Sequence, residues 1–218
     1  MTPVAAASEA RLATISAALL TGGSGSRLGQ DKSRVLLAGT AAATRLAQRL
    51  ARLFEEVWLV GGDPPGDAPG RRVADPPGPA CALRGVVGAL EAARGERVLV
   101  LATDLPLVSD ELLLALVALP EADAVLPRAG EGRHALCALF VRERVLPVAR
   151  WRLAEGDLAL RALLSEVDTR WLEGPDLARL DPRGEALANL NTPEDLVRIE
   201  RSLAAAAKTA SRRSGQRF

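Results

Sequence analysis

An apolar run, Ile15 to Leu20, breaks into four glycines within eight positions (Gly22, Gly23, Gly25 and Gly29), with Arg27 among them and Asp31-Lys32-Ser33 directly behind. Glycines let successive backbone N–H groups converge without Cβ obstruction, and converging N–H groups form a concavity for an anion. Arg27 and Lys32 add full positive charge where phosphate charge would arrive. A buried strand leading into a phosphate-cradling loop is therefore expected. Two familiar versions of such a loop are excluded by spacing. A Walker A loop needs Gly-Lys-Ser/Thr, and here Asp31 precedes Lys32-Ser33. The dinucleotide pattern Gly-x-Gly-x-x-Gly fails because Leu28 stands where its third glycine would be.

The sequence around this loop predicts alternating strands and helices. Ile15–Leu20 is nearly all apolar and reads as a strand buried on both faces. Leu46, Leu50 and Leu53, with arginines between them, predict an amphipathic helix over Thr40–Phe54. Strands are predicted at Val57–Val60 and Arg71–Ala74, a helix at Leu83–Ala93, and a strand at Val98–Ala102 ending in Thr103-Asp104-Leu105-Pro106. Ser109 or Asp110 is positioned to cap a helix reaching about Leu119. Further strands fit Ala124–Leu126, Leu136–Val141 and Thr169–Leu172, with helices at Val145–Leu153 and Leu158–Ser165. This order predicts an α/β domain of three layers built on a mostly parallel, doubly wound sheet. Ligands of such sheets gather at the carboxyl ends of strands, where the glycine loop, Gly61, Asp75 and Asp104 all fall.

Near the end, Thr192 is a candidate N-cap, Pro193 suits the first helical position, and Glu194 and Asp195 supply acids to the first turn. A helix to about Ala206 is expected, closing a single domain over residues 1–206. The small, polar and basic residues 207–218 read as a disordered tail.

A formal net charge of +1 argues against a nucleic-acid partner. No run of about 18 apolar residues or signal-peptide core is seen, so the expectation is a cytoplasmic protein off the membrane. Cys81 and Cys137 match no metal or redox spacing and read as buried thiols. Lysine occurs only at Lys32 and Lys208 in a chain otherwise rich in arginine, which singles out Lys32.

The stretch Leu20-Thr21-Gly22-Gly23-Ser24-Gly25-Ser26-Arg27-Leu28-Gly29-Gln30-Asp31-Lys32 resembles the signature of nucleotidyltransferases that activate sugars and cofactors, with Thr21 for Ala and Leu28 for Met. Nucleotidyl transfer needs a cation on the triphosphate, and magnesium suits one or two carboxylates plus phosphate and water oxygens. Asp104, ending a buried strand, is the leading candidate ligand, and Asn191 is a candidate second oxygen. Lys32 and Arg27 would stabilise charge on the phosphates during attack and on the departing pyrophosphate. Asp75 is a candidate for reading the base edge or holding the ribose. His134, the only histidine, is expected to serve at most on the substrate side.

Three features together resemble the molybdenum cofactor guanylyltransferase family: the opening loop, Asp104-Leu105-Pro106, and Asn189-Leu190-Asn191-Thr192-Pro193-Glu194-Asp195-Leu196. The resemblance spans about Ile15 to Leu203. It implies a Rossmann-like nucleotidyltransferase fold and transfer of GMP from magnesium-bound GTP to the terminal phosphate of molybdenum-bearing molybdopterin, with maturation proteins of molybdoenzymes as further partners. By position, Leu20, Thr21, Gly22, Gly23 and Lys32 would contact GTP, Gly61 and Asp75 would lie near ribose or guanine, and Asp104 would meet both nucleotide and magnesium. Two departures stand out. Gly78-Pro79 is separated from Gly85 by five residues where the family runs Gly-Pro-Leu-x-Gly, and Gly61 replaces a small polar side chain. The alternatives are a cytidylyltransferase on the same pterin, a nucleotidyltransferase for another phosphorylated metabolite, and a non-catalytic nucleotide- or cofactor-binding protein.

Overall fold

The computed structural model describes residues 14–22, 31–130, 132–133 and 136–214. Gly23, Arg27, His134 and the last residues of the tail lie outside them. In chain order the elements are β1 (Ile15–Leu20), α1 (Ala42–Leu53), β2 (Glu56–Val60), β3 (Arg71–Val73), α2 (Ala82–Ala92), β4 (Arg97–Ala102) and α3 (Asp110–Ala118). They continue as β5 (Ala124–Ala129), β6 (Cys137–Val141), α4 (Arg142–Glu155), α5 (Leu160–Ser165), β7 (Thr169–Glu173), α6 (Gly174–Leu180) and α7 (Pro193–Ser214).

These strands form one sheet in the order β7-β5-β6-β4-β1-β2-β3, with Gly132–Arg133 pairing back onto β5. β4, β1, β2 and β3 run parallel, as the alternation predicted. β5 and β7 are also parallel to each other. β6 runs antiparallel to both its neighbours. The stretch between β5 and β6 is too short for a crossover helix, so the chain must turn back on itself there.

The period of two along each strand sorts the core into two layers. Ala17, Leu19, Leu99, Leu101, Val125 and Leu139 point to one face, where they pack on α1, α3 and α6. Ala18, Leu20, Val98, Val100, Leu126 and Phe140 point to the other, against α2, α4 and α5. Helices on both faces give the three-layer, doubly wound arrangement. β1 sits at its centre with every residue buried, because it is covered on both faces and paired along both edges.

Several boundaries shift for local reasons. Thr40 and Ala41, expected in the first helix, instead pair with Leu36–Leu37 in a small hairpin. Ser109 is the cap of α3, its Oγ accepting from the Leu112 N–H at 3.1 Å. α6 had no expectation at all, since its seven residues are too few for periodicity to show. α7 corrects the expected end of order: it continues beyond Ala206 to Ser214. Ala204 to Ala207 are strong helix formers and Lys208 continues them without a breaker.

A third apolar cluster bears on the site. Val35, Leu37 and Ala42 from the hairpin region pack with Leu190 and Ile199, and Leu107, Leu196 and Leu203 flank them. Leu190 and Ile199 are fully buried, and each side chain so removed from water contributes about 1.5–3 kcal/mol. This packing holds the start of α7 against the segment that carries Lys32. Among the described residues no helix is long and apolar enough to cross a membrane.

Candidate active site

The carboxyl ends of β1, β3 and β4 open into one cavity of about 300 Å³, whose lining includes Leu20, Thr21, Gly22, Lys32, Asp75 and Asp104. Parallel strands make this convergence unavoidable: β1 is bonded to β2 on one side and β4 on the other, so the residues after each strand leave the sheet together. The Thr103 N–H donates to Leu20 O at 3.3 Å, locking the end of β4 beside the end of β1. Thr21 is buried, and its hydroxyl donates to Gly61 O at 2.5 Å, tying β1 to β2.

Lys32 stands on a single 3₁₀ turn, Lys32–Arg34, capped by Asp31, whose Oδ1 accepts from the Ser33 N–H at 2.9 Å and the Ser33 hydroxyl at 2.8 Å. Its ammonium donates to Asn191 Oδ1 at 2.5 Å. Asn191 is held in turn by its own helix entry. Asp195 Oδ2 accepts from the N–H groups of Asn191 and Thr192, both at 3.0 Å, and Thr192 Oγ1 accepts from the Asp195 N–H at 3.2 Å. That reciprocal exchange is a capping box. Burial pushes the Asp195 carboxyl upward, but the two N–H groups, Arg198 and the Thr192 hydroxyl outweigh it and leave the group below its ordinary range. Next to Asn191, the Leu190 N–H donates to Asp104 O at 2.7 Å, so β4 and α7 meet at the cavity.

Asp75 forms the far wall. Its carboxylate lies against the backbone of Gly22 and Gly61 and receives Arg84 Nη2 at 3.2 Å. Gly61 has φ +68°, and a Cβ there would stand 2.5–2.7 Å from the three carboxylate atoms of Asp75. The missing side chain at Gly61 is thus a condition for seating Asp75. Cys81, expected buried, is half-buried on the cavity wall, where its Sγ accepts from the Arg84 N–H at 3.4 Å and caps α2. Cys137 is wholly buried, and burial pushes its thiol up to about 12.

The structure therefore brings Leu20, Thr21, Gly22, Lys32, Asp75 and Asp104 to one cavity, with Gly61 packed behind Asp75 and Asn191 attached through Lys32. Arg84 escaped the sequence reasoning. Its signal was a charge set between the fully apolar neighbours Leu83 and Gly85 at the start of a helix otherwise buried along that stretch. Among the described residues no group of three or more His, Cys, Asp or Glu side chains could hold a metal by itself. One carboxylate such as that of Asp104 suffices for magnesium, which draws most of its oxygens from phosphate and water.

A mostly parallel, doubly wound sheet with a cavity at the carboxyl ends of its strands is the fold of a nucleotidyltransferase. The chain belongs to the MobA-like NTP transferase domain family, whose model matches residues 17–171. It is 33% identical over 196 residues to a protein of Chloroflexus aggregans named "Probable molybdenum cofactor guanylyltransferase", covering 85% of this chain and 93% of that one. It is likewise 33% identical over 191 residues to the molybdenum cofactor guanylyltransferase of Cereibacter sphaeroides, covering 84% and 93%. The crystal structure of a molybdopterin-guanine dinucleotide biosynthesis protein A from Archaeoglobus fulgidus superposes with a TM-score of 0.74 at 22% identity, covering 87% and 99%. That likeness establishes the shared fold.

Proposed function

We propose that this nucleotidyltransferase transfers GMP from GTP to the terminal phosphate of molybdenum-bearing molybdopterin and releases pyrophosphate. The observation that carries this proposal is Lys32, anchored by Asn191 in the same cavity as Asp104 and Asp75. A pterin phosphate oxygen attacks the α-phosphorus of GTP, the bond from that phosphorus to the bridging oxygen of the β-phosphate breaks, and its electron pair leaves on pyrophosphate. A phosphate nucleophile is already ionised, so no general base is needed. Lys32 places positive charge on the phosphates before attack, and because it is anchored it does not have to reorganise during the reaction. Arg27, from the glycine-rich segment, would add to that charge, with the backbone of Gly22 and Gly23 and the end of β1 at Leu20 and Thr21 cradling the triphosphate.

Asp104 would hold magnesium, which when bound neutralises the triphosphate and aligns it. Asn191 Oδ1 accepts from Lys32 and keeps a second lone pair as its offer to the metal. Asp75, seated between the glycine backbone and Arg84, faces the nucleoside end. The test is pyrophosphate release with molybdopterin and magnesium, comparing GTP, CTP and ATP side by side. Turnover preferring GTP, lost in Asp104→Ala with the fold retained, is expected. Preference for CTP would replace the guanylyl assignment with a cytidylyl one, and nucleotide binding without turnover would point to a carrier.

A further inference from the structure

We infer that Arg84 is a specificity-determining residue of this enzyme, donating to the O6 and N7 acceptors of the guanine base. The inference rests on the guanylyl proposal above and names a residue that proposal does not need.

Arg84 enters the cavity from the first turn of α2, beside Asp75. Nη2 donates to Asp75 Oδ2 at 3.2 Å and Nη1 to Gly78 O at 2.8 Å. Its side chain is only 23% exposed and that of Asp75 20%. Asp75 is itself backed by Gly22 and Gly61, so the guanidinium is fixed on one side by a carboxylate that cannot retreat and on the other by a backbone carbonyl. A guanidinium carries five N–H donors. The contacts to Gly78 and Asp75 use one N–H each of Nη1 and Nη2 and leave a second N–H on both, while Nε is buried.

Charge separates the two cations of the cavity. Lys32 pairs with a neutral amide and keeps its net positive charge, which suits phosphate. Arg84 pairs with a carboxylate, so the couple is neutral and offers hydrogen-bond geometry in place of charge. A neutral couple with donors on one half and acceptors on the other matches a base edge. Guanine presents O6 and N7 as adjacent acceptors, the pattern that an arginine fork reads bidentately, while adenine and cytosine place an amino donor at the corresponding exocyclic position. The N1–H and amino group of guanine, next to O6, are donors that Asp75 can accept. The altered spacing from Gly78-Pro79 to Gly85 thus has a physical counterpart: Arg84 ties Gly78 O back to α2 and supplies a side-chain contact to the base.

The experiment is displacement of a fluorescent GTP analogue from the full-length protein, with magnesium, by GTP, 7-deaza-GTP, ATP and CTP. Wild type, Arg84→Ala and Arg84→Lys would be compared, with melting curves confirming folding. Wild type should bind GTP roughly ten- to a hundredfold tighter than 7-deaza-GTP, which lacks N7. Arg84→Ala should bring that ratio close to one, and Arg84→Lys, which keeps charge without the fork, should retain only part of it. A GTP preference that survives unchanged in both variants overturns the role of Arg84 and leaves the guanylyl proposal standing. A wild-type preference for CTP or ATP overturns both.

Discussion

The Lys32 ammonium donates to the Asn191 side-chain oxygen across 159 positions of sequence. The hydrogen bond joins the short turn that carries Lys32 to the entry of the last helix, so this wall of the cavity is complete only when α7 is docked. A hydrogen bond involving a charged group contributes about 1.5–3 kcal/mol. Asn191→Ala should lower kcat/KM for GTP by roughly ten- to a hundredfold, and Lys32→Ala should lower turnover by about 10²–10³. Pyrophosphate release measured against GTP concentration checks both; wild-type kinetics in Asn191→Ala would remove the anchoring role.

Gly61 makes a second test because its demands are steric and conformational at once. With φ +68° and Asp75 within 2.7 Å of any Cβ, Gly61→Ala should cost about 1–3 kcal/mol and displace the carboxylate. The expected result is a melting temperature several degrees lower, together with a raised KM for GTP. A variant that loses stability with unchanged KM would show that Asp75 does not meet the nucleotide.

The thiols should behave differently. Cys81 lies on the cavity wall and should react with a thiol reagent in the native state, more slowly when nucleotide is bound. Cys137 is buried with its pKa pushed up to about 12, so it should react only on unfolding. In the unfolded chain a cysteine ionises near 8.5. The folded form withholds that ionisation, so this contribution to stability is intact below about pH 8.5 and is lost as pH rises toward about 12. Urea melts between pH 8 and pH 11 of wild type and Cys137→Ala would show the loss only in the former.

Asp195 works in the opposite direction. Despite burial, its N–H partners hold its pKa below the ordinary value, so its stabilisation is present above about pH 3.9 and is lost as pH falls through the folded-state value. Asp195→Ala should cost about 1 kcal/mol through the lost cap, and the gap between variant and wild type should close on acidification. Because Asp195 positions the Asn191 backbone, the variant should also lower kcat/KM at neutral pH.

Local patterns carried much of this protein. Ile15–Leu20 showed as a doubly buried strand because apolar continuity is what a central parallel strand requires, and it was found with the same bounds. Thr192-Pro193-Glu194-Asp195 announced its helix because capping chemistry is written within four consecutive residues. Asp75 and Asp104 stood out as charges at strand ends and Lys32 as the charge behind the glycine-rich stretch, and alternating strands and helices implied that those ends meet. The resemblance to a known family named the chemistry expected there.

What remained hidden depends on distance in sequence. Nothing local pairs Lys32 with Asn191; the packing of Leu190 and Ile199 against Val35 and Leu37 decides it. Gly61 read as an absent contact, whereas three dimensions show its missing side chain to be the space that Asp75 fills. Arg84 was not singled out from the sequence at all, because only the placement of α2 brings it beside Asp75. Hydrophobic period, caps and turns act over a few residues and can be read along the chain, while the hydrogen bonds that complete the cavity are made by whichever side chains the packed layers bring together.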